Sequence, residues 1–168
     1  IYVSHSPDEV ARLADHIVVM EAGRSIANGP LAEILARMDL PIHPGEDTAV
    51  VVSAHVAELD PAWHLARVEF PGGSLWTQDH AFAIGRKVRV RMLARDISLT
   101  LTRPENTSIQ NILRGTVDAL ADDEHPGQVL VRIRLGSPAD TVVDPTQVIA
   151  RVTRRAAAEL GVVPGTAL

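Results

Sequence analysis

The sequence predicts a mainly β chain: two small OB-like β barrels in tandem, preceded by a short α/β segment. Three observations carry that expectation. From Ala49 onward, short apolar runs recur at roughly 8–12-residue spacing between Pro- and Gly-rich turns. The order of those runs repeats once along the chain. Aromatic residues make up only 3% of the 168 and cysteine is absent, so any core is aliphatic and unsupported by disulfides.

Residues 1–43 form the first unit of the expected organisation, 44–103 a first OB-like β unit, and 104–168 a second one that lacks its last strand. In the first unit, Ile1-Tyr2-Val3-Ser4 is a short apolar β-type run. Ser6 can cap a helix that has Pro7 at its first position and Asp8 and Glu9 at its positive end. Ser6 and Glu9 also have capping-box spacing. Val10, Leu13 and Ala14 give that helix one apolar face. Asp15 to Met20 reads as a buried strand, Glu21-Ala22-Gly23-Arg24 as a hairpin turn, and Ser25 to Asn28 as the return strand. Leu31, Ile34, Leu35 and Met38 mark a second short helix. Pro41, Pro44 and Gly45 suggest a linker. Forty residues cannot bury a core alone, so these elements either dock on the β units beyond them or have lost their sheet.

Strands then dominate: Val50–Val56, Leu65–Phe70, Ser74–Thr77, and Lys87–Met92, whose strict alternation suits a half-buried strand. Asp96–Leu101 continues in the same style. In the second copy Ile112–Leu120 corresponds to Val50–Leu59 and Gln128–Gly136 to Leu65–Gly72. Asp140–Val143 and Gln147–Val152 are two further short strands. Thr153–Gly161 reads as a helix with a Thr cap and a Gly stop. Val163-Pro164-Gly165-Thr166-Ala167-Leu168 corresponds to Ala83-Ile84-Gly85-Arg86-Lys87-Val88. A long strand succeeds the first of these and none succeeds the second.

Composition and spacing exclude several functions. The net charge is −5, which argues against wholesale nucleic-acid binding. No apolar run approaches the ~18 residues of a membrane span, so no direct membrane insertion is expected. The seven histidines contain no H-x-x-x-H pair, and no metal site is expected. Ser4 and His5 have no acidic partner that would mark nucleophilic catalysis. Lys87 is the only lysine and precedes Val88, so a G-x-x-x-x-G-K-[ST] phosphate loop is absent. No Leu-Ser-Gly-Gly signature and no apolar strand ending in Asp-Glu precede His5. The chain as given is therefore expected not to be an enzyme. Lys87, Arg89 and Arg91 share one strand face, echoed by Arg132 and Arg134. A solvated sheet face is favoured there over a groove for anionic polymer, since no aromatic platform accompanies it. Asp122-Asp123-Glu124 reads as a solvated turn, and Trp63 and Trp76 as core or interface fillers.

Two phrases resemble a known family. YVSHSPDEVARLADHIVVMEAGRSIANGP resembles the end of an ABC-transporter ATPase domain, with His5 at the place of that family's switch histidine. ARDISLTLTRPENTSIQNILRGTV and RVTRRAAAELGVVPGTAL resemble the regulatory C-terminal region of the ATP-binding subunit of molybdate importers, which carries a Mop/TOBE-type domain. The opening at Ile1 fits a piece of a longer protein. The resemblance implies a parent ATPase that uses ATP and Mg, lies at the cytoplasmic face of the inner membrane, and works with a membrane permease subunit. Without the phosphate-loop lysine, His5 is expected to be inactive in this chain, and no cofactor is expected for the chain itself.

The resemblance also implies a homodimer that holds an oxyanion, molybdate or tungstate, between subunits. The family's Ser-Ala-Arg-Asn motif falls on Ser108-Ile109-Gln110-Asn111, with Gln110 in the arginine's place. Its Thr-x-x-Ser motif falls on Thr153-Arg154-Arg155-Ala156, with Ala156 in the serine's place. The expected oxyanion-binding residues are thus Ser108, Gln110, Asn111, Thr153 and Arg154. Arg154 and Arg155 occupy a helix first turn, where cations are disfavoured unless an anion sits beside them. Three alternatives stay open: a ligand-free structural oligomerisation module, the same module from a sulfate, sugar or polyamine importer, and an OB-type nucleic-acid binder.

Overall fold

The computed structural model describes residues 1–42, 48–137 and 145–168. In chain order the elements are α1 (Pro7–Leu13), β1 (His16–Glu21), β2 (Arg24–Pro30), α2 (Leu31–Leu35), β3 (Ala49–Asp60), β4 (Leu65–Phe70), β5 (Gly73–Gln78), β6 (Lys87–Leu93), β7 (Gly115–Asp122), β8 (Gln128–Leu135), β9 (Gln147–Thr153) and α3 (Arg154–Glu159). A 3-10 turn, Ala94–Asp96, succeeds β6. The strands form an antiparallel hairpin β1-β2, a sheet of order β5-β4-β3-β6, and a sheet of order β7-β8-β9. The architecture is mainly β and OB-like, with a small helix-and-hairpin layer at its N-terminal end. Among the described residues no helix is long and apolar enough to cross a membrane.

The two larger sheets repeat one plan. In the first, the Gly85 amide donates to the Val56 carbonyl at 2.7 Å and the Val56 amide to the Arg86 carbonyl at 2.9 Å. In the second, the Gly165 amide donates to the Val117 carbonyl at 2.8 Å and the Val117 amide to the Thr166 carbonyl at 2.9 Å. Both glycines sit at positive φ, 81° and 91°, where a side chain is strained. Each leading strand carries a bulge just after the equivalent valine, between Val56 and Glu58 and between Val117 and Ala119. A bulge admits one extra residue and sharpens the twist, which helps a short sheet curl. Thr166 to Leu168 therefore lie against β7 as the start of β6 lies against β3, with Thr116 opposite Ala167.

The copies differ beyond that point. Residues Ala49–His55 pair with Leu93–Lys87 over the whole of β6. The corresponding stretch before Gly115 has no ladder, and β7 begins three residues later than the alternation of Ile112–Leu120 predicts. Alternation marks which side chains can be buried, but a strand needs a hydrogen-bonding neighbour, and among the described residues no ladder includes Ile112–Arg114.

Alternation sorts the side chains of β3 and β6. Val50, Val52, Ala54 and Val56 face a core shared with Val68 and Phe70 of β4, Val117 of β7, Val131 and Ile133 of β8, and Ile149 of β9. One aliphatic core thus spans both sheets. At the inter-sheet contact Gly72 sits at φ +99°, and a Cβ there would lie 2.9 Å from the Leu135 carbonyl oxygen. Val51, on the opposite face of β3, is buried against Ala11 of α1 and Leu31 of α2. The N-terminal elements therefore dock on β3, which answers how forty residues find a core.

Several local expectations change. Residues 1–4 pair with no strand, and Ile1, Tyr2 and Val3 are exposed. β1 is one-sided instead of buried: Ile17 and Val19 turn inward, while Val18 and Met20 are exposed. No strand forms at 96–101, where the chain leaves the 3-10 turn in an irregular path. The expected strand Asp140–Val143 and the linker residues Pro44 and Gly45 lie outside the described residues. Trp63 is 75% exposed at the β3–β4 turn and fills no core.

Candidate functional site

His5 is exposed on the segment that leads into α1. The Ser6 side chain caps α1, accepting from the Glu9 amide at 3.4 Å. The reciprocal half of the capping box is replaced. Glu9 instead accepts from the Ser4 hydroxyl at 2.6 Å and the Tyr2 hydroxyl at 3.1 Å, while the Ser6 amide donates to Ser4 Oγ at 3.0 Å. The Ser4 bond, then the Tyr2 bond, holds the Glu9 carboxyl below its usual pKa, with the nearby His5 charge adding slightly. The same carboxylate raises the Tyr2 phenol.

At the other end of α1, the Arg89 guanidinium of β6 donates to the carbonyls of Arg12 at 3.3 Å and Ala14 at 2.9 Å and pairs with Asp15. This places a cation at a helix C-terminus, where it is favoured. A cavity of about 330 Å³ lies here, lined by Ala11, Arg12, Val51, Arg89 and Arg91. Part of the basic stripe thus serves as a clamp on α1. On the sheet face of β4, Arg67 pairs with Glu58 at 2.9 Å and with Glu69, and Arg132 of β8 pairs with Asp118 at 2.7 Å. Glu69 first, then Glu58, raises the Arg67 pKa. These pairings fit a solvated, ion-paired face.

The five expected oxyanion residues fall into two groups. Ser108 and Gln110 are exposed, and their side chains have no protein partner among the described residues. Asn111 behaves differently. Its side-chain oxygen accepts from the Trp76 amide at 2.8 Å and its nitrogen donates to the Trp76 carbonyl at 2.9 Å. The amide group imitates one rung of a β ladder on the free edge of β5.

Thr153 caps α3, its hydroxyl accepting from the Ala156 amide at 3.1 Å. Arg154 pairs with Asp122 at 2.7 Å and donates to the Pro126 carbonyl at 2.7 Å. Arg155 pairs with Glu159 one turn on, at 2.7 Å. The first-turn cations are therefore met by carboxylates of this chain.

The two groups are anchored on different strands. Asn111 is bonded to Trp76 on the edge of β5, whereas Thr153 follows from β9 opposite Gln128 of β8 and Arg154 pairs with Asp122.

Sequence reasoning missed a buried polar clasp beside the second group. Arg151 of β9 pairs with Asp123 at 2.5 Å, and both side chains are only 5% exposed. Arg151 also donates to Thr48 Oγ at 2.7 Å, and Thr48 is itself buried at the entry to β3. The expected solvated turn thus contains two exposed acidic residues, Asp122 and Glu124, and one buried structural carboxylate, Asp123. No local pattern pairs Asp123 with Arg151 or Thr48, because the three meet only through tertiary packing.

Lys87, the only lysine, sits on β6 opposite His55. Among the described residues no group of His, Asp and Glu is placed to hold a metal ion.

Residues 107–168 match the model of the TOBE domain, over the very region that carries both motifs. The chain is 58% identical over 165 residues to the molybdenum import ATP-binding protein ModC of Methylococcus capsulatus, covering 98% of this chain and 44% of that protein. It is 51% identical to the protein of the same description from Thiobacillus denitrificans, covering 98% and 43%. The chain belongs to the C-terminal part of the molybdate-importer ATP-binding subunits. It spans less than half the length of the relatives it matches. Among solved structures, the cytoplasmic molybdate-binding protein ModG, with molybdate bound, is similar at a TM-score of 0.54 and 24% identity, covering 70% of this chain and 84% of that one. That likeness shows the shared OB-like β fold.

Proposed function

We propose that this chain is the regulatory and dimerising region of a molybdate importer's ATP-binding subunit, and that two copies hold molybdate or tungstate between them. The observation that carries this reading is that the two motifs are anchored on different strands, Asn111 on the edge of β5 and Thr153 and Arg154 beside β8 and Asp122. In this reading one anion meets one group from each copy. Hydroxyl and amide donors with one guanidinium suit a tetrahedral dianion. The relatives' names and the molybdate-bound neighbour support the choice of oxyanion.

In this reading 1–43 is the end of an ATPase domain, 44–103 a first β unit, and 104–168 a second. The whole subunit hydrolyses ATP with Mg, works with a membrane permease, and lies at the cytoplasmic face of the inner membrane. His5 acts as the switch histidine there and is inactive in this chain. A bound oxyanion regulates only through tighter binding to one arrangement of the two copies.

A second reading, a ligand-free oligomerisation module, is favoured by one observation: Asn111 and Arg154 already have protein partners. Titration calorimetry with molybdate, tungstate and sulfate separates the two. Saturable heat with molybdate and tungstate, lost in Ser108→Ala and Thr153→Ala, is expected. Heat with sulfate alone assigns the module to another importer, and no heat from a folded dimer establishes the ligand-free module.

A further inference from the structure

The two ends of α1 are held by different parts of the molecule. At its N-terminal end, Ser4 and Tyr2 bond to Glu9, and Ser4 Oγ accepts from the Ser6 amide, so the residues flanking His5 are tied to the helix's first turn. At its C-terminal end, Arg89 gathers the carbonyls of Arg12 and Ala14 together with Asp15. Between them, the buried Ala11 packs on Val51 of β3, the strand that pairs with β6. A helix of 7 residues so anchored has no joint along its length.

We infer that Arg89 is a positioning residue: through α1 it fixes the placement of His5 relative to the first β unit, so that a displacement of that unit is felt at His5. The unit shares its core with the second sheet, and the Arg151–Thr48 bond ties β9 to the entry of β3, so the second sheet is coupled to the same strut. The chemical consequence rests on the reading of His5 as the parent's switch histidine. The mechanical link does not, and the test treats them separately.

In the 168-residue chain, Arg89→Gln is expected to move the His5 ring resonances in NMR spectra. It is also expected to speed amide exchange at Val10 and Ala14 about tenfold, with β8 unaffected. Arg89→Lys restores both in large part, and Asp15→Asn gives a smaller change of the same kind. Unchanged His5 resonances and unchanged α1 exchange in Arg89→Gln overturn the inference, as does an acceleration spread equally over β8. In the full-length subunit, Arg89→Gln is expected to lower kcat for ATP hydrolysis severalfold with KM for ATP unaltered. Full turnover in Arg89→Gln, where His5→Ala loses it, overturns the functional link alone. Full turnover in His5→Ala overturns the switch-histidine reading.

Discussion

The two β units share a turn, a bulge and a hydrogen-bond register, and they part company at one place. In the first, Ala49–Ser53 continues the ladder because Arg89–Leu93 lie beside it. In the second, residues 110–114 join no ladder and run as an arm held at Asn111 to Trp76 and at the Arg114 carbonyl by the Gly136 amide. Alternation therefore sets the faces of a segment, while the neighbour's backbone decides whether it becomes a strand. Ser108, just before this arm, and Gln110, its first residue, are exposed.

The largest expected effect lies at the paired carboxylates of the β7–β8 loop. Arg151→Ala leaves Asp123 buried without its cation and is expected to cost about 3–5 kcal/mol. Arg154→Ala removes an exposed pair and is expected to stay within about 1 kcal/mol. Urea denaturation with a common m value measures both. Equal losses would show that the buried clasp and the exposed pair are not distinct.

The glycines probe the likeness of the units. Gly85→Ala and Gly165→Ala each force a side chain into left-handed backbone with open space around it, and each is expected to cost about 1–2 kcal/mol. Gly72→Ala adds a collision with the Leu135 carbonyl across the inter-sheet contact and is expected to cost about 2–3 kcal/mol. Thermal unfolding followed by circular dichroism ranks the three. Losses at Gly85 and Gly165 that differ by more than ~1 kcal/mol would mean that the shared turn does not have a shared role.

The smallest effect contrasts α1 with the β units. Folding lowers the Glu9 pKa, so its contribution is present above the usual carboxylate range and disappears as pH falls through the lowered value. Amide exchange at Val10 is therefore expected to accelerate on acidification before exchange at Val131 changes. Simultaneous acceleration at both would remove Glu9 as the cause.

Much of this architecture is legible in the residues. Gly85 and Gly165 mark equivalent turns, β4, β6 and β8 announce themselves by alternation, and Thr153 and Gly161 bracket α3. Where local pattern misleads, the deciding contact is distant. No ladder includes Ile112–Arg114, Val18 and Met20 lie on the exposed face of β1, and residues 96–101 stay irregular although Ile97 and Leu99 pack on the core. The candidate site is legible as two motifs but not as a place, because their anchoring on different strands emerges only from the tertiary contacts. Its internal partners, Trp76 for Asn111 and Asp122 for Arg154, have no signature in local sequence.

The sharpest measurement is the sedimentation velocity of the 168-residue chain with and without molybdate. An anion gripped by both copies must draw free protomers into pairs, so molybdate is expected to shift the distribution toward the dimer, and Ser108→Ala to abolish that shift. A distribution indifferent to saturating molybdate would contradict the shared site.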